Sequence, residues 1–195
     1  MLSPFAECVV LATLHSRCMA HRRASSKEGG KEPRGFWGRY EWLASAIERR
    51  IKLLVQTPAT TTIERDPMLF FTHMLAYSAI ICLGGTVQRM PWQAAEHQLM
   101  APAYEQRISW ATAEMVRLVK GLPSLSYFKA HPFLPNLLSS AITFLLTQCP
   151  IEYDQAGVEV LLCLLKNLRD VNSLALKICS TYDGAHSSLL LQRNR

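Results

Sequence analysis

Charge is scarce in this chain of 195 residues: Asp, Glu, Lys and Arg make up 18% of it, against about 25% in typical soluble domains. Apolar residues make up 49%, so the chain falls outside the disordered class, which pairs low hydrophobicity with high net charge. Nine glycines and ten prolines are too few for collagen-like or low-complexity sequence. No two cysteines form a Cys-x-x-Cys pair; they stand at Cys8, Cys18, Cys82, Cys149, Cys163 and Cys179. No Asn-x-Ser/Thr acceptor occurs. Met1, Leu2, Ser3 and Pro4 place no basic region ahead of the apolar run that follows, which argues against a signal peptide. Reduced thiols in an intracellular protein are therefore expected. The longest nearly uncharged apolar run, Met68 to Gly85, is interrupted by Thr72, His73 and Ser78 and ends in Gly84 and Gly85. That is marginal for a membrane span; the run reads as a buried core helix, and no membrane partner is expected.

Catalytic signatures are lacking too. There is no phosphate-cradling Gly-x-x-x-x-Gly-Lys loop, no Gly-x-Gly-x-x-Gly turn, no Gly-x-Ser-x-Gly elbow and no His-Glu-x-x-His helix. Acids are sparse and none pairs with another inside an apolar surround. Glu152 and Asp154 flank a helix start, where they complement the dipole. The expectation is a chain that is not an enzyme, with no catalytic, cofactor-binding or metal-ligating residue.

What is present is helical pattern. The length suits one domain, or one and a half, and a chain of this size buries roughly 70% of its unfolded surface. Ser3 can cap a helix with Pro4 at its first position, running Phe5 to Ala20 and ending in His21, Arg22 and Arg23. Ser25 to Gly35 reads as a solvated loop. From Phe36 to Val55, a stripe of Tyr40, Leu43, Ala44, Ile47, Ile51, Leu54 and Val55 recurs at helical spacing. Thr57 to Thr62 break that helix. Asp66 and Pro67 start another, and Gly84-Gly85 should stop it. Pro91 opens a segment that Pro102 divides; its second half carries Tyr104, Ile108, Ala111, Met115, Leu118 and Val119 on one face. A proline-spaced linker, Ser124 to Pro135, precedes a helix from Asn136 to Gln148, which Pro150 ends. Ala156 to Ser180 reads as one long helix, with Leu162, Ala175, Leu176 and Cys179 among its inward residues. Six or seven helices and no convincing strand predict an all-α domain over residues 1–182, with a frayed tail at 183–195.

The net charge of +6 is unevenly spread. Arg17, Arg22, Arg23, Lys27, Lys31, Arg34 and Arg39, against Glu28 and Glu32, carry five of the six charges. A basic loop at 22–35 beside Phe36, Trp37 and Tyr40 could suggest nucleic-acid binding; a solvated loop pinned by the start of the next helix is the plainer reading. His15, Cys18 and His21 have zinc-ligand chemistry at helical spacing. They drift around the helix and have no fourth partner close in sequence, so they read as residues bordering a buried helix. His73 could be a general base but reads as a hydrogen-bonded core histidine. Arg22-Arg23-Ala24-Ser25 matches a basophilic-kinase site. Trp37, Trp42, Trp92 and Trp110 fall at helical positions and read as core packing.

Several stretches together resemble the fungal-specific transcription factor domain, the all-helical middle homology region of Zn2Cys6 binuclear-cluster transcription factors. They are SPFAECVVLATLHSRC (Ser3 to Cys18), WLASAIERRI (Trp42 to Ile51), DPMLFFTHMLAYSAIICL (Asp66 to Leu83), YEQR (Tyr104 to Arg107) and LSYFKAHPFLPNLL (Leu125 to Leu138). The order of SPFAE, DPML and the HPF segment gives the match its specificity. The resemblance implies a regulatory, non-catalytic module of a nuclear transcription regulator. In that family zinc and DNA are held by a separate cluster of six closely spaced cysteines, which this sequence does not carry, so those site residues map onto nothing here. No cofactor is expected in this chain, and DNA is expected as a partner only through the absent cluster of a full-length protein. The first residues already resemble the interior of the homology region. The chain is thus expected to be a C-terminal portion, a truncated gene model or a free-standing relic. A regulatory protein, a small-molecule effector or a homodimer partner remains open, as does an alternative reading as a small-molecule-binding or enzymatic helical protein with a pocket between helices walled by Met68 to Leu83, or, less favoured, as a membrane-associated protein anchored by that same run.

Overall fold

Asp66 shows how the sequence starts a helix. Its side chain accepts hydrogen bonds from the Met68 and Leu69 amides at 2.9 and 3.2 Å, and Pro67 occupies the first turn, where a missing N–H costs nothing. The computed structural model describes residues 2–27, 35–56, 66–90, 94–122, 129–148 and 155–182, with the backbone alone for 27, 94–101, 148 and 155. Along the chain these form α1 (Pro4–Lys27), α2 (Phe36–Gln56), α3 (Pro67–Gln88), α4 (Ala94–Lys120), α5 (Leu134–Gln148) and α6 (Gln155–Leu168). A seventh helix, α7, spans 173–182. The fold is all-α, with seven helices and no strand among the described residues.

Helix α3 is the axis of the packing. Every residue from Leu69 to Ile81 is buried, because α1, α2, α4 and α5 all contact it. A helix apolar all round needs such a coat. It is long and apolar enough to cross a membrane, but 83% of its most apolar window is covered by the other helices. Helices α1 and α2 form an antiparallel hairpin, tied at one end by Arg50 to Glu7 (3.4 Å) and at the other by Arg39 Nε to His21 Nδ1 (3.5 Å). Helix α6 packs on α4 and α5. The largest fully buried side chains include Leu11, Phe36, Tyr77, Ile108, Ile142 and Leu161, one or more from each of the first six helices.

The structure corrects several sequence-based expectations. Helix α1 does not end at Ala20 but runs to Lys27, so residues 22–27 of the expected basic loop are helical. The serines there do not break the helix: Ser25 Oγ donates to the His21 carbonyl (2.8 Å) and Ser26 Oγ to that of Arg22 (3.0 Å), bonding back one turn. The rest of that loop, 28–34, lies outside the described residues. Helix α3 passes through Gly84-Gly85 to Gln88. Gly84 lies where α4 crosses: a Cβ there would sit 2.5 Å from the Ile108 side chain. Pro102 does not divide α4; it faces solvent, where water can take the acceptor that its missing amide leaves unpaired. Helix α5 begins at Leu134, two residues before the expected start, with Pro135 in its first turn.

The expected helix from Ala156 to Ser180 is two helices. Asn172 Oδ1 caps α7, accepting from the Leu174 and Ala175 amides at 2.9 and 3.2 Å. The break shifts the helical phase, so Leu176 is exposed while Ala175 and Cys179 stay buried. Val55 and Trp42 are also exposed. Trp42 lies under the Arg17 guanidinium, 5.3 Å from it, and Trp110 is half out, its ring edge against Tyr77 at 5.5 Å. Of the described tryptophans, Trp37 is the one partly buried against the core as expected, while Trp110 touches it by its ring contact with Tyr77. The expectations for Thr57 to Thr62, Pro91, Trp92, residues 123–128, Cys149, Pro150, Glu152, Asp154 and the tail 183–195 lie outside the described residues.

Candidate functional site

Where α1, α3 and α5 meet, they leave an open cleft of about 470 Å³, within the usual range for small-molecule sites. Helix α1 contributes His15, Met19 and Arg22. Helix α3 forms the floor with Ser78, Ile81, Cys82 and Gly85, and Gln88 and Arg89 stand at its C-terminal end. Helix α5 supplies a face of hydroxyls and one aromatic: Ser139, Ser140, Thr143, Phe144 and Thr147.

The hydroxyl protons are largely committed. Ser140 Oγ donates to the Leu137 carbonyl at 2.7 Å, so in the 3.1 Å pair with Ser78 Oγ Ser78 is the donor. Tyr182 of α7 donates to the Ser139 carbonyl at 2.9 Å, and the Ser139 and Thr143 hydroxyls each lie 2.9 Å from the same phenol oxygen. Thr147 Oγ1 bonds back to the Thr143 carbonyl. The guanidiniums of Arg22 and Arg89 are different. Among the described residues neither is ion-paired and no carboxylate lines the cleft. Both act on the Cys82 thiol: burial pushes its pKa up, and the two arginines oppose that. Burial and then Arg22 hold the His15 imidazole below its ordinary value. The cleft is a positive site with an apolar side, formed by Met19, Ile81, Leu137 and Phe144.

The residues singled out from sequence do not assemble into a centre. His15 lines the cleft, Cys18 is fully buried in the core, and the His21 ring packs on Phe36 at 4.6 Å. Among the described residues no three His, Cys, Asp or Glu side chains gather as a metal site requires. His73 is buried between α3 and α4, away from the cleft, and its Nε2 has no hydrogen-bond partner among the described residues; the hydrogen-bonded histidine expected from sequence is in this respect corrected. Burial, reinforced by Arg117 and opposed by Glu114, lowers its pKa to about 4. Such an imidazole is a poor base at neutral pH. Burial likewise pushes the Cys18 thiol up to about 12, far from a nucleophile's range. Ser25 is buried, so the kinase-like motif is not presented on the folded surface. Sequence reading singled out His15 and Arg22 without joining them in a cleft and missed the α5 face, although Ser139, Thr143 and Thr147 recur every four residues and so share a helix face.

The segments that carry the family resemblance hold the helices together. Ser3 Oγ accepts from the Ala6 amide at 3.2 Å, and Glu7 meets Arg50 of the WLASAIERRI segment. Arg107 of YEQR reaches Glu48 at 3.2 Å. His131 of the HPF segment stacks on Phe71, ring centres 3.7 Å apart. No family model matches the chain, and no solved structure matches it. Curated sequences do. The chain is homologous to fungal cluster transcription factors. It is 49% identical over 174 residues to a transcription factor of Aspergillus terreus, covering 89% of this chain and 28% of that protein. It is 44% identical over 198 residues to the asperfuranone cluster transcription factor afoA of Emericella nidulans, covering 89% and 30%. To the sorbicillinoid biosynthetic cluster transcription factor 1 of Penicillium rubens it is 39% identical over 190 residues, covering 89% and 31%. The chain thus spans less than a third of the length of these relatives and corresponds to a partial region of such a regulator.

Proposed function

We propose that this chain is the regulatory, non-catalytic helical domain of a fungal Zn2Cys6-type transcription regulator, corresponding to part of the middle homology region. The observation that carries the proposal is identity of 39–49% to transcription factors across 89% of the chain. The packing supports it: the resembling segments are caps, ion pairs and ring stacks of a helical scaffold, and the buried His73 and Cys18 are tuned away from catalysis. The parent protein acts in the nucleus and reaches DNA through a separate zinc cluster. By analogy with the relatives' names, it governs a biosynthetic gene cluster. A second reading, a small-molecule-binding helical protein, is favoured by the cleft between α1, α3 and α5 and is compatible with the first.

The test is selection from a random DNA library by the purified chain, followed by gel-shift at physiological salt. No site should be enriched. Residual binding from the basic stretch should fall steeply with salt, as phosphate contacts do. A site bound at nanomolar strength that survives competitor DNA would place DNA reading in this chain and overturn the proposal.

A further inference from the structure

Two adjacent glycines in α3 have opposite reasons to be small. A Cβ on Gly84 would strike Ile108 at 2.5 Å, so the approach of α4 demands glycine there. A Cβ on Gly85 would meet no atom of the described residues within 4 Å. Glycine inside a helix is less favourable than alanine by up to about 1 kcal/mol, and no neighbour requires it at this position. What the bare backbone does at Gly85 is keep the floor of the cleft open. Over that floor stand Arg22 and Arg89, two guanidiniums with no carboxylate among the described lining residues, and beside them the apolar surfaces of Met19, Ile81 and Phe144. Because the hydroxyls of Ser140 and Thr147 give their protons to backbone carbonyls, the arginines are the charged donors facing a guest, beside the side-chain amides of Gln88 and Asn136. Arginine forks match carboxylate geometry.

We propose that this cleft binds a small organic acid, its carboxylate held at Arg22 and Arg89 and its apolar body lying over Gly85 against Met19, Ile81 and Phe144. The position of Arg89 at the C-terminal end of α3, and of Arg22 in the last turns of α1, lets such a ligand tie two helices that the hydroxyl face of α5 then encloses. The site adds a ligand to the regulatory reading and does not depend on it, because binding is measured without DNA or transcription.

Calorimetric titration of the full chain with 2-naphthoate, and with 2-naphthalenemethanol as its uncharged counterpart, tests the proposal. The acid should bind with a Kd of about 1 mM or tighter, ordinary for a ligand of its size, and the alcohol at least about tenfold more weakly. The double substitution Arg22→Gln, Arg89→Gln should bring the acid down to the level of the alcohol. Gly85→Leu should abolish binding of both while the unfolding midpoint holds or rises, so loss of the site is separable from loss of the fold. Absence of acid binding up to about 10 mM, equal affinity for acid and alcohol, or a folded Gly85→Leu chain that still binds would each overturn the proposal.

Discussion

Acidification should destabilise this fold through one identifiable side chain. His73 is buried between α3 and α4, and protonation would place its charge near Arg117, with Glu114 only partly compensating. Its folded pKa is about 4 against an ordinary 6.5. The sign follows from linkage: between these values the unfolded chain takes up a proton that the folded chain refuses, so stability falls as pH drops. The full loss, at about 1.4 kcal/mol for each pH unit between the two values, is about 3 kcal/mol below pH 4; at pH 5 it is about 2 kcal/mol. That is a large share of the roughly 5–15 kcal/mol that holds a typical domain. Burial lowers His15 and His131 as well, so the wild-type curve alone does not isolate the effect. The His73→Leu variant does: it keeps the other histidines and, since Nε2 has no partner among the described residues, sacrifices no hydrogen bond of that nitrogen. Urea unfolding of both proteins at pH 7.5, 6 and 5 should show the variant gaining about 2 kcal/mol on the wild type across the range. Parallel curves would show that His73 titrates as it does in the unfolded chain, and would refute the reasoning.

Further outcomes follow from the packing. Gly84→Ala should lower stability by about 1–3 kcal/mol through overpacking against Ile108, whereas Gly85→Ala should raise it by up to about 1 kcal/mol; thermal unfolding that moves both the same way contradicts the crossing described for α3 and α4. Asp66→Ala should cost about 1 kcal/mol by uncapping α3, and Asp66→Asn much less, as read from denaturant midpoints. A basophilic kinase should phosphorylate Ser25 only after unfolding, because its hydroxyl is buried and bonded to His21; mass spectrometry showing stoichiometric modification of the native chain would contradict this.

The class of fold was legible because it rests on periodicity. Tyr40, Leu43, Ala44, Ile47, Ile51 and Leu54 are all buried on α2, as their spacing requires, and Asp66-Pro67 starts α3 where capping chemistry places it. Serine, glycine and proline break a helix only where nothing accommodates them, and here each is accommodated differently. Ser25 bonds back along its own helix, Gly84 makes room for Ile108, and Pro102 faces water. The opposite error occurred near Asn172, where a strong cap hidden in an apolar pattern divides what looked continuous. Trp42 and Trp110 were misplaced because helical spacing alone does not say which side of a helix finds a neighbour. Of the cleft, only one wall was legible: Ser78, Ile81 and Cys82 of the apolar run Met68 to Leu83 line it. Arg22, Gly85, Arg89 and Ser140 lie on three helices far apart in sequence, and no local pattern marks them as neighbours. The relation to transcription was legible only through the order of several segments, none of which has a chemical signature of its own.

The central claim is that this helical body regulates transcription without reading DNA itself. The most direct measurement joins the chain to a heterologous DNA-binding domain in a fungal cell and follows a reporter carrying the matching operator. The fusion should change reporter transcript several-fold, up or down, relative to the DNA-binding domain alone at equal protein level. It should have no effect on a reporter lacking the operator. An unchanged reporter, with the fusion folded and bound at its operator, would contradict the account.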